Sequence, residues 1–196
     1  IAHAQAVQRY RQLDQGGDIG IILNLTPSYP RSENPADVKA ANIADLMFNR
    51  SFLDPALLGK YPEELVDLLK SHHQLPECRS GDRELLAQGV VSLLGINYYQ
   101  PRRIKCRDSL VNPDSPFMPE WFFENYEMPG RKMNPHRGWE IYEKGIYDIL
   151  TNLRIEYGNP RCFISENGMG VENEQRFIEN EQVQDDYRIE FVREHL

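Results

Sequence analysis

The order of apolar and polar positions along the chain predicts three buried strands separated by amphipathic helices. Apolar runs rich in β-branched residues, without polar alternation, are typical of parallel strands covered on both faces. Such runs occupy residues 19–25, 90–99 and 161–165. Apolar residues that recur every three to four positions predict helices. These predicted helices cover residues 1–13, 36–52, 61–71, 142–157 and 183–196.

The connections between these elements limit the fold to two α/β architectures. Consecutive buried strands joined through helices imply parallel βα units with right-handed crossovers. A doubly wound sheet and part of a (β/α)₈ barrel both satisfy this order, and both place their chemistry at the carboxyl ends of the strands. Residues 100–137 are rich in proline and are expected to be irregular, a length that is usually functional or flexible.

Composition and charge exclude several classes of protein. The chain has 196 residues, with 22 Lys+Arg against 30 Asp+Glu and a net charge of −8, and it has no basic stripe of the kind that binds nucleic acid. No stretch reaches the roughly 20 apolar residues of a membrane span.

The three cysteines, Cys78, Cys106 and Cys162, form no CxxC pair and no even set. Free thiols in a reducing compartment, and hence a cytoplasmic location, are therefore expected, with neither a metal site nor a cofactor.

Polar side chains follow two of the predicted strands where those strands end. Glu166 ends an otherwise apolar run and precedes Asn167 and Gly168, while Asn97 and Tyr99 end the preceding strand. Because Asn97 and Tyr99 are two positions apart, they share one face of that strand. A phenol and an amide on one face could orient a carboxylate through hydrogen bonds. Taken alone, Glu166 could equally be a solvated acid, and the tyrosines could serve only in packing.

Three segments resemble signatures of the glycoside hydrolase family 1 β-glycosidases and occur in the order of that family. The segments are Gly95–Tyr99 (GINYY), Gly138–Tyr142 (GWEIY) and Ile164–Gly168 (ISENG). Flanking segments also resemble the family, among them His3–Val7 and Asp186–Ile189, so the likeness extends along essentially the whole chain. The spacing of three separate motifs makes this resemblance specific.

The resemblance implies a retaining hydrolase built on a (β/α)₈ barrel. Glu166 matches the nucleophile, which forms a glycosyl-enzyme intermediate that water later resolves. Tyr99 matches a phenol that donates a hydrogen bond to this carboxylate, and Asn97 matches an amide of the same network. Trp139 matches an aromatic platform for the aglycone, although a tryptophan at a helix start that serves only the core remains the alternative.

One departure from the family pattern concerns the second carboxyl group that retaining hydrolysis needs. Family members carry it in an Asn-Glu-Pro motif after the fourth strand, and no such tripeptide occurs in this sequence. The resemblance places the chain between about the fourth and the seventh helix of the barrel. Residues 1–196 are thus expected to form a single partial barrel domain, incomplete at both ends, with about three βα units and a leading helix. In isolation it is expected to be inactive.

The residues around the motifs, 134–139 and 168–172, are most similar to those of bacterial 6-phospho-β-glucosidases, so the expected ligand is a small β-glycoside, with or without a phosphate group. The other expected partner is the remainder of the barrel, with further copies in an oligomer left as an open alternative, and neither nucleic acid nor a membrane is expected. A non-catalytic half-barrel that binds sugars or serves assembly is the alternative function. A basic run is expected to be a solvated loop, with phosphate binding as its alternative; it consists of Arg102, Arg103, Lys105 and Arg107.

Overall fold

The computed structural model describes residues 1–13 and 16–196. Its α-helices are α1 (Ala2–Gln12), α2 (Pro35–Asp45), α3 (Ser51–Leu57), α4 (Glu63–Ser71), α5 (Asp82–Gln88), α6 (Lys144–Glu156) and α7 (Asp186–His195). A π-helical turn, Leu46–Arg50, joins α2 to α3, and 3₁₀ turns occur at Pro119–Trp121 and Glu174–Phe177. No helix in the described part of the chain is long and apolar enough to cross a membrane.

The strands form one central parallel sheet and smaller accessory sheets. They are β1 (Gly20–Asn24), β2 (Ser28–Pro30), β3 (Leu93–Tyr98), β4 (Arg102–Lys105), β5 (Glu124–Asn125), β6 (Met133–Asn134), β7 (Trp139–Glu140), β8 (Cys162–Asn167), β9 (Ile178–Glu179) and β10 (Gln182–Val183). The central sheet has the order β1-β3-β8 and is parallel throughout. The strands and helices that alternate along the sequence therefore form an α/β fold with a parallel sheet, as predicted.

One face of the central sheet packs against helices and forms the main core. Leu94, Ile96 and Tyr98 of β3 are fully buried there, against Ile149 and Leu153 of α6. The three β3 residues are two apart, so they point to the same side of the strand. The Tyr98 hydroxyl donates to the backbone carbonyl of Tyr142 at 2.6 Å, which satisfies a polar group in an apolar environment.

The opposite face of the same sheet carries apolar side chains that are open to solvent. Ile22 of β1 is 55% exposed and Phe163 of β8 is 47% exposed. Both lie beside Gly95, which pairs with each of them in the register of the sheet. The expectation that every strand is covered on both faces is thus wrong for β1 and β8 in this chain, and β3 is the most buried of the three strands.

Several element boundaries differ from the predicted ones. The helix predicted over 36–52 is interrupted by the π-helical turn and continues to Leu57. Helix α5 is not predicted from the sequence, because seven residues are too few to show a clear apolar periodicity. The stretch 100–137, predicted to be irregular, contains β4, β5 and β6. Strand β4 pairs with β2 in parallel and with β5 in antiparallel orientation.

The carboxylate of Asp37 ties the first turn of α2 to the end of β4. It is fully buried and accepts hydrogen bonds from the Cys106 backbone amide at 2.8 Å, the Ser32 hydroxyl at 2.7 Å and the Arg31 guanidinium at 3.1 Å. These donors, above all the Cys106 amide, hold the pKa of Asp37 well below its usual range. The folded state therefore favours the ionised carboxylate.

We expect Asp37→Asn to lower the midpoint of urea unfolding at pH 7. Because the pKa of Asp37 is depressed on folding, its stabilisation is present above the unfolded pKa and is lost as the pH falls through the folded one. The difference between wild type and variant should thus shrink between about pH 4 and pH 2. Urea unfolding followed by circular dichroism at several pH values measures this difference. The exposed Asp67 on α4 gives the matched control, Asp67→Asn, and an equal effect from both changes would contradict this account.

Candidate active site

The candidate site lies where β3 and β8 end, and a β-bulge shapes it. Ile96 pairs with Ile164, but the next residue of β3, Asn97, pairs with Glu166. Ser165 is therefore an extra residue on β8. A bulge of this kind redirects the side chains that follow it, and such bulges are over-represented next to active sites. Here both Ser165 and Glu166 contact side chains of the same neighbouring segment, Asn97–Tyr99.

The phenol of Tyr99 donates a hydrogen bond to Oε2 of Glu166. Glu166 is itself exposed on the open face of the sheet, and Tyr99 is half-buried. The hydrogen bond to the carboxylate raises the pKa of Tyr99, so the phenol keeps its proton and remains a donor at neutral pH. Glu166 belongs to β8, one residue after the bulge, rather than following the strand as the sequence suggested, so its backbone is part of the sheet.

Asn97 contacts Ser165 rather than Glu166. The Ser165 hydroxyl donates to Oδ1 of Asn97 at 2.6 Å, across the bulge. On the other side of Glu166, the side-chain amide of Asn167 donates to the backbone carbonyl of Tyr98 at 2.8 Å. The residue before Glu166 and the residue after it are thus each anchored to β3, which limits the directions in which the carboxylate can point.

Trp139 lies beside Tyr99, with ring centroids 5.6 Å apart and planes inclined by 47°. It belongs to β7 of a short hairpin and not to the start of a helix, so its alternative interpretation as a helix-start residue is wrong. The predicted site residues Glu166, Tyr99, Asn97 and Trp139 are therefore brought together at one end of the sheet. An apolar indole face next to a carboxylate can cover a ring bound at that carboxylate.

Sequence reasoning missed the ion pair between Arg103 and Glu140. The guanidinium of Arg103, on β4, lies 2.6 Å from Oε1 of Glu140, on β7. The expectation that the basic run is a solvated loop is wrong. Arg103 and Lys105 pair with carboxylates, Lys105 with Glu124 at 3.0 Å, and these residues belong to a strand. Such pairs join residues far apart in the sequence, so no local pattern indicates them.

Asn134 is a second residue that sequence reasoning missed. It is buried, and its amide donates to the backbone carbonyl of Gly170 at 2.9 Å, which connects the hairpin of Trp139 to the loop that follows Glu166. Its Oδ1 accepts from the His136 backbone amide at 3.1 Å, in a turn that asparagine commonly forms.

Within residues 1–13 and 16–196, no group of three or more His, Cys, Asp or Glu side chains is arranged to hold a metal ion.

Comparison with known proteins decides the family. The model of glycosyl hydrolase family 1 matches residues 1–196, which is the whole chain. The chain belongs to glycosyl hydrolase family 1. This result confirms the resemblance that the three sequence motifs carry.

Individual members of family 1 are also similar to the chain. It is 61% identical over 197 residues to the 6-phospho-beta-glucosidase GmuD of Bacillus subtilis, covering 100% of this chain and 42% of that protein. A beta-glucosidase structure from Exiguobacterium marinum superposes with a TM-score of 0.80 at 31% identity, covering 98% of this chain and 41% of the other. Beta-glucosidase A of Acetivibrio thermocellus is 32% identical, and the alignment covers 100% of this chain and 41% of that protein. The chain thus spans about two fifths of the length of these relatives.

Proposed function

We propose that the chain forms part of a retaining β-glycosidase and supplies its nucleophile, Glu166. The observation that carries this proposal is the hydrogen bond from the Tyr99 phenol to the Glu166 carboxylate, at the carboxyl ends of two adjacent parallel strands. A nucleophilic carboxylate must be directed at the carbon it attacks, and a phenol that donates to one of its oxygens restricts its orientation. Membership of glycosyl hydrolase family 1 supports the same conclusion.

The proposed reaction proceeds in two displacements. A carboxylate oxygen of Glu166 attacks the anomeric carbon, a C–O bond forms to the enzyme, and the bond to the aglycone oxygen breaks. A carboxylic acid protonates the departing oxygen. Water then attacks the same carbon, gives its proton to that second carboxylate and releases Glu166, so that the anomeric configuration is retained.

The second carboxyl group belongs, in this proposal, to a part of the protein outside residues 1–196. Retaining enzymes hold the two carboxyl groups about 5–5.5 Å apart. Strands β1, β3 and β8 are proposed as three consecutive strands of a (β/α)₈ barrel, with α1 as a leading helix and residues 1–196 as one partial domain. The rest of the barrel would bring the acid/base residue and cover the open face that bears Ile22 and Phe163.

The proposed substrate is a 6-phospho-β-glucoside. Its support is the 61% identity with a protein named 6-phospho-beta-glucosidase, twice the identity with the beta-glucosidase structure from Exiguobacterium marinum. The four side chains of the basic run, considered above as phosphate ligands, have other contacts. Arg103 pairs with Glu140 and Lys105 with Glu124, while Arg107 donates to the Glu120 carbonyl and Arg102 lies over the Phe48 ring. Recognition of the phosphate is therefore assigned to the remainder of the barrel. A cytoplasmic location follows from this substrate class as part of the proposal.

Hydrolysis of p-nitrophenyl β-glucoside and of its 6-phosphate tests the proposal. For a protein that carries the chain with the remaining barrel, we expect kcat/KM to be at least about tenfold higher for the phosphorylated substrate. The unphosphorylated substrate lacks the hydrogen bonds between the phosphate and its binding groups, and one such bond to a charged group is worth about 1.5–3 kcal/mol. The 196-residue chain alone should turn over neither substrate.

Two other results would contradict parts of this proposal. A preference for the unphosphorylated substrate would leave the nucleophile in place and overturn the substrate class. Glycoside binding without turnover by the longer protein would overturn the catalytic assignment, and would favour the alternative of a non-catalytic sugar-binding barrel.

A further inference from the structure

The ion pair of Arg103 and Glu140 is withdrawn from water. Their side chains are only 10% and 6% exposed. Nε of Arg103 lies 3.2 Å from each oxygen of Glu140, and Nη2 lies 2.6 Å from Oε1, so the contact is a two-pronged one. Such a geometry restricts the relative orientation of the two groups far more than a single contact does.

Two tyrosine rings enclose the guanidinium of Arg103. The centre of the guanidinium lies 4.7 Å from the ring of Tyr29 and 4.5 Å from that of Tyr142, while the two rings meet edge to face at 5.3 Å. Tyr29 stands next to Arg103 in the register of β2 and β4. Arginine stacks well on aromatic faces, so this environment holds the cation in place on β4.

Glu140 is the neighbour of Trp139 in a short hairpin, whose other strand is tied to the Gly170 loop by Asn134. Strands β6 and β7 have two residues each, with Asn134 opposite Trp139 and Met133 opposite Glu140. Adjacent residues of a strand point to opposite faces. Glu140 is buried against Arg103, and Trp139 points away from it, toward Tyr99. Anchoring Glu140 therefore sets the direction of the indole.

We propose that Arg103 and Glu140 are positioning residues for the leaving group, which act by holding Trp139 against Tyr99 as a platform for the aglycone ring. This inference rests on the proposed function, since it needs a glycoside bound at Glu166. Neither residue is assigned to contact the substrate. A buried ion pair contributes little net stability compared with apolar residues of similar volume, so a role in orientation accounts for the pair better than a role in stability.

The test uses the longer enzyme and two substrates that differ in their leaving groups. A p-nitrophenyl glycoside has a ring that Trp139 can cover, and a glycosyl fluoride of the same sugar has none. In Glu140→Gln we expect KM for the aryl glycoside to rise about three- to tenfold, the scale of one lost aromatic contact. The value of kcat/KM for the fluoride should stay within about twofold of wild type, since that substrate makes no such contact.

A double-mutant cycle tests whether Glu140 acts through Trp139. Trp139→Ala should raise KM for the aryl glycoside and leave the fluoride unaffected. Adding Glu140→Gln to Trp139→Ala should raise that KM by less than about a further twofold, because the effects of coupled residues are not additive. Asp18→Asn serves as the control, since it removes a carboxylate from the more exposed pair with Arg161, which lies outside the hairpin. It should change neither substrate's constants. Should Glu140→Gln fail to fold, Arg103→Lys keeps the charge, loses the two-pronged contact and is expected to give the same selectivity.

The outcomes separate this inference from the proposed function. Equal losses on both substrates, or additive effects of Glu140→Gln and Trp139→Ala, would overturn the positioning role while leaving Glu166 as nucleophile. If Glu166→Gln retained full activity on the fluoride, the proposed function itself would fail.

Discussion

Replacing Glu166 with Gln in the longer enzyme is expected to lower kcat/KM by on the order of 10⁴-fold or more, as the loss of a covalent nucleophile does in other hydrolases. The amide is nearly isosteric, so the hydrogen bond with Tyr99 and the register of β8 should persist. A 2-deoxy-2-fluoro glycoside with a good leaving group should label the wild type, and mass spectrometry should place the label on the peptide that contains Glu166. The variant should remain unlabelled.

A smaller side chain at the same position provides a sharper version of this experiment. In Glu166→Ala, azide should enter the space of the lost carboxylate, attack the anomeric carbon of an activated β-glycoside from the opposite face and form an α-glycosyl azide. The exposed Glu156 in the last turn of α6 gives the control Glu156→Gln, which should be fully active. Turnover of Glu166→Gln near the wild-type rate would exclude Glu166 as nucleophile.

The second large effect is expected for Tyr99→Phe, which removes the one donor that the structure shows on the Glu166 carboxylate within the described residues. A hydrogen bond to a charged group is worth about 1.5–3 kcal/mol, which corresponds to a fall in kcat of about 10- to 100-fold. The aromatic ring stays in contact with Trp139, so KM should change much less than kcat. Steady-state kinetics on one activated glycoside measure both constants.

Tyr147→Phe is the matched control for this variant, since Tyr147 is 66% exposed on α6 and outside the candidate site. It should have wild-type constants. An increase in KM with unchanged kcat in Tyr99→Phe would mean that the phenol binds substrate instead of directing the carboxylate, and would count against the assigned role.

The central sheet and the strand-end residues Glu166, Asn97 and Tyr99 could be predicted from the sequence because their signals are local. Apolar runs identify β1, β3 and β8, and parallel pairing then places their carboxyl ends together. The contact of Tyr99 with Glu166 follows from that placement. The family motifs added Trp139 and the role proposed for each group, which periodicity alone left open.

The parts that were missed depend on contacts between distant segments. Strands of two residues, such as β6 and β7, have no periodicity to detect, and tertiary pairing decides them. Arg103 and Glu140 are separated by 37 positions, and each looks like an ordinary surface charge in the sequence. The bulge at Ser165 is also invisible, because an apolar run reads the same with or without one extra residue.

The bulge also decides on which face of the sheet the carboxylate lies. With Ser165 as the extra residue, Glu166 stands opposite Asn97 and its side chain is on the open face. If β8 kept all its residues and paired regularly, Glu166 would stand opposite Tyr98 and turn toward the helices, because a shift of one residue exchanges the two faces of a strand. The single unpaired residue therefore keeps the carboxylate out of the apolar core.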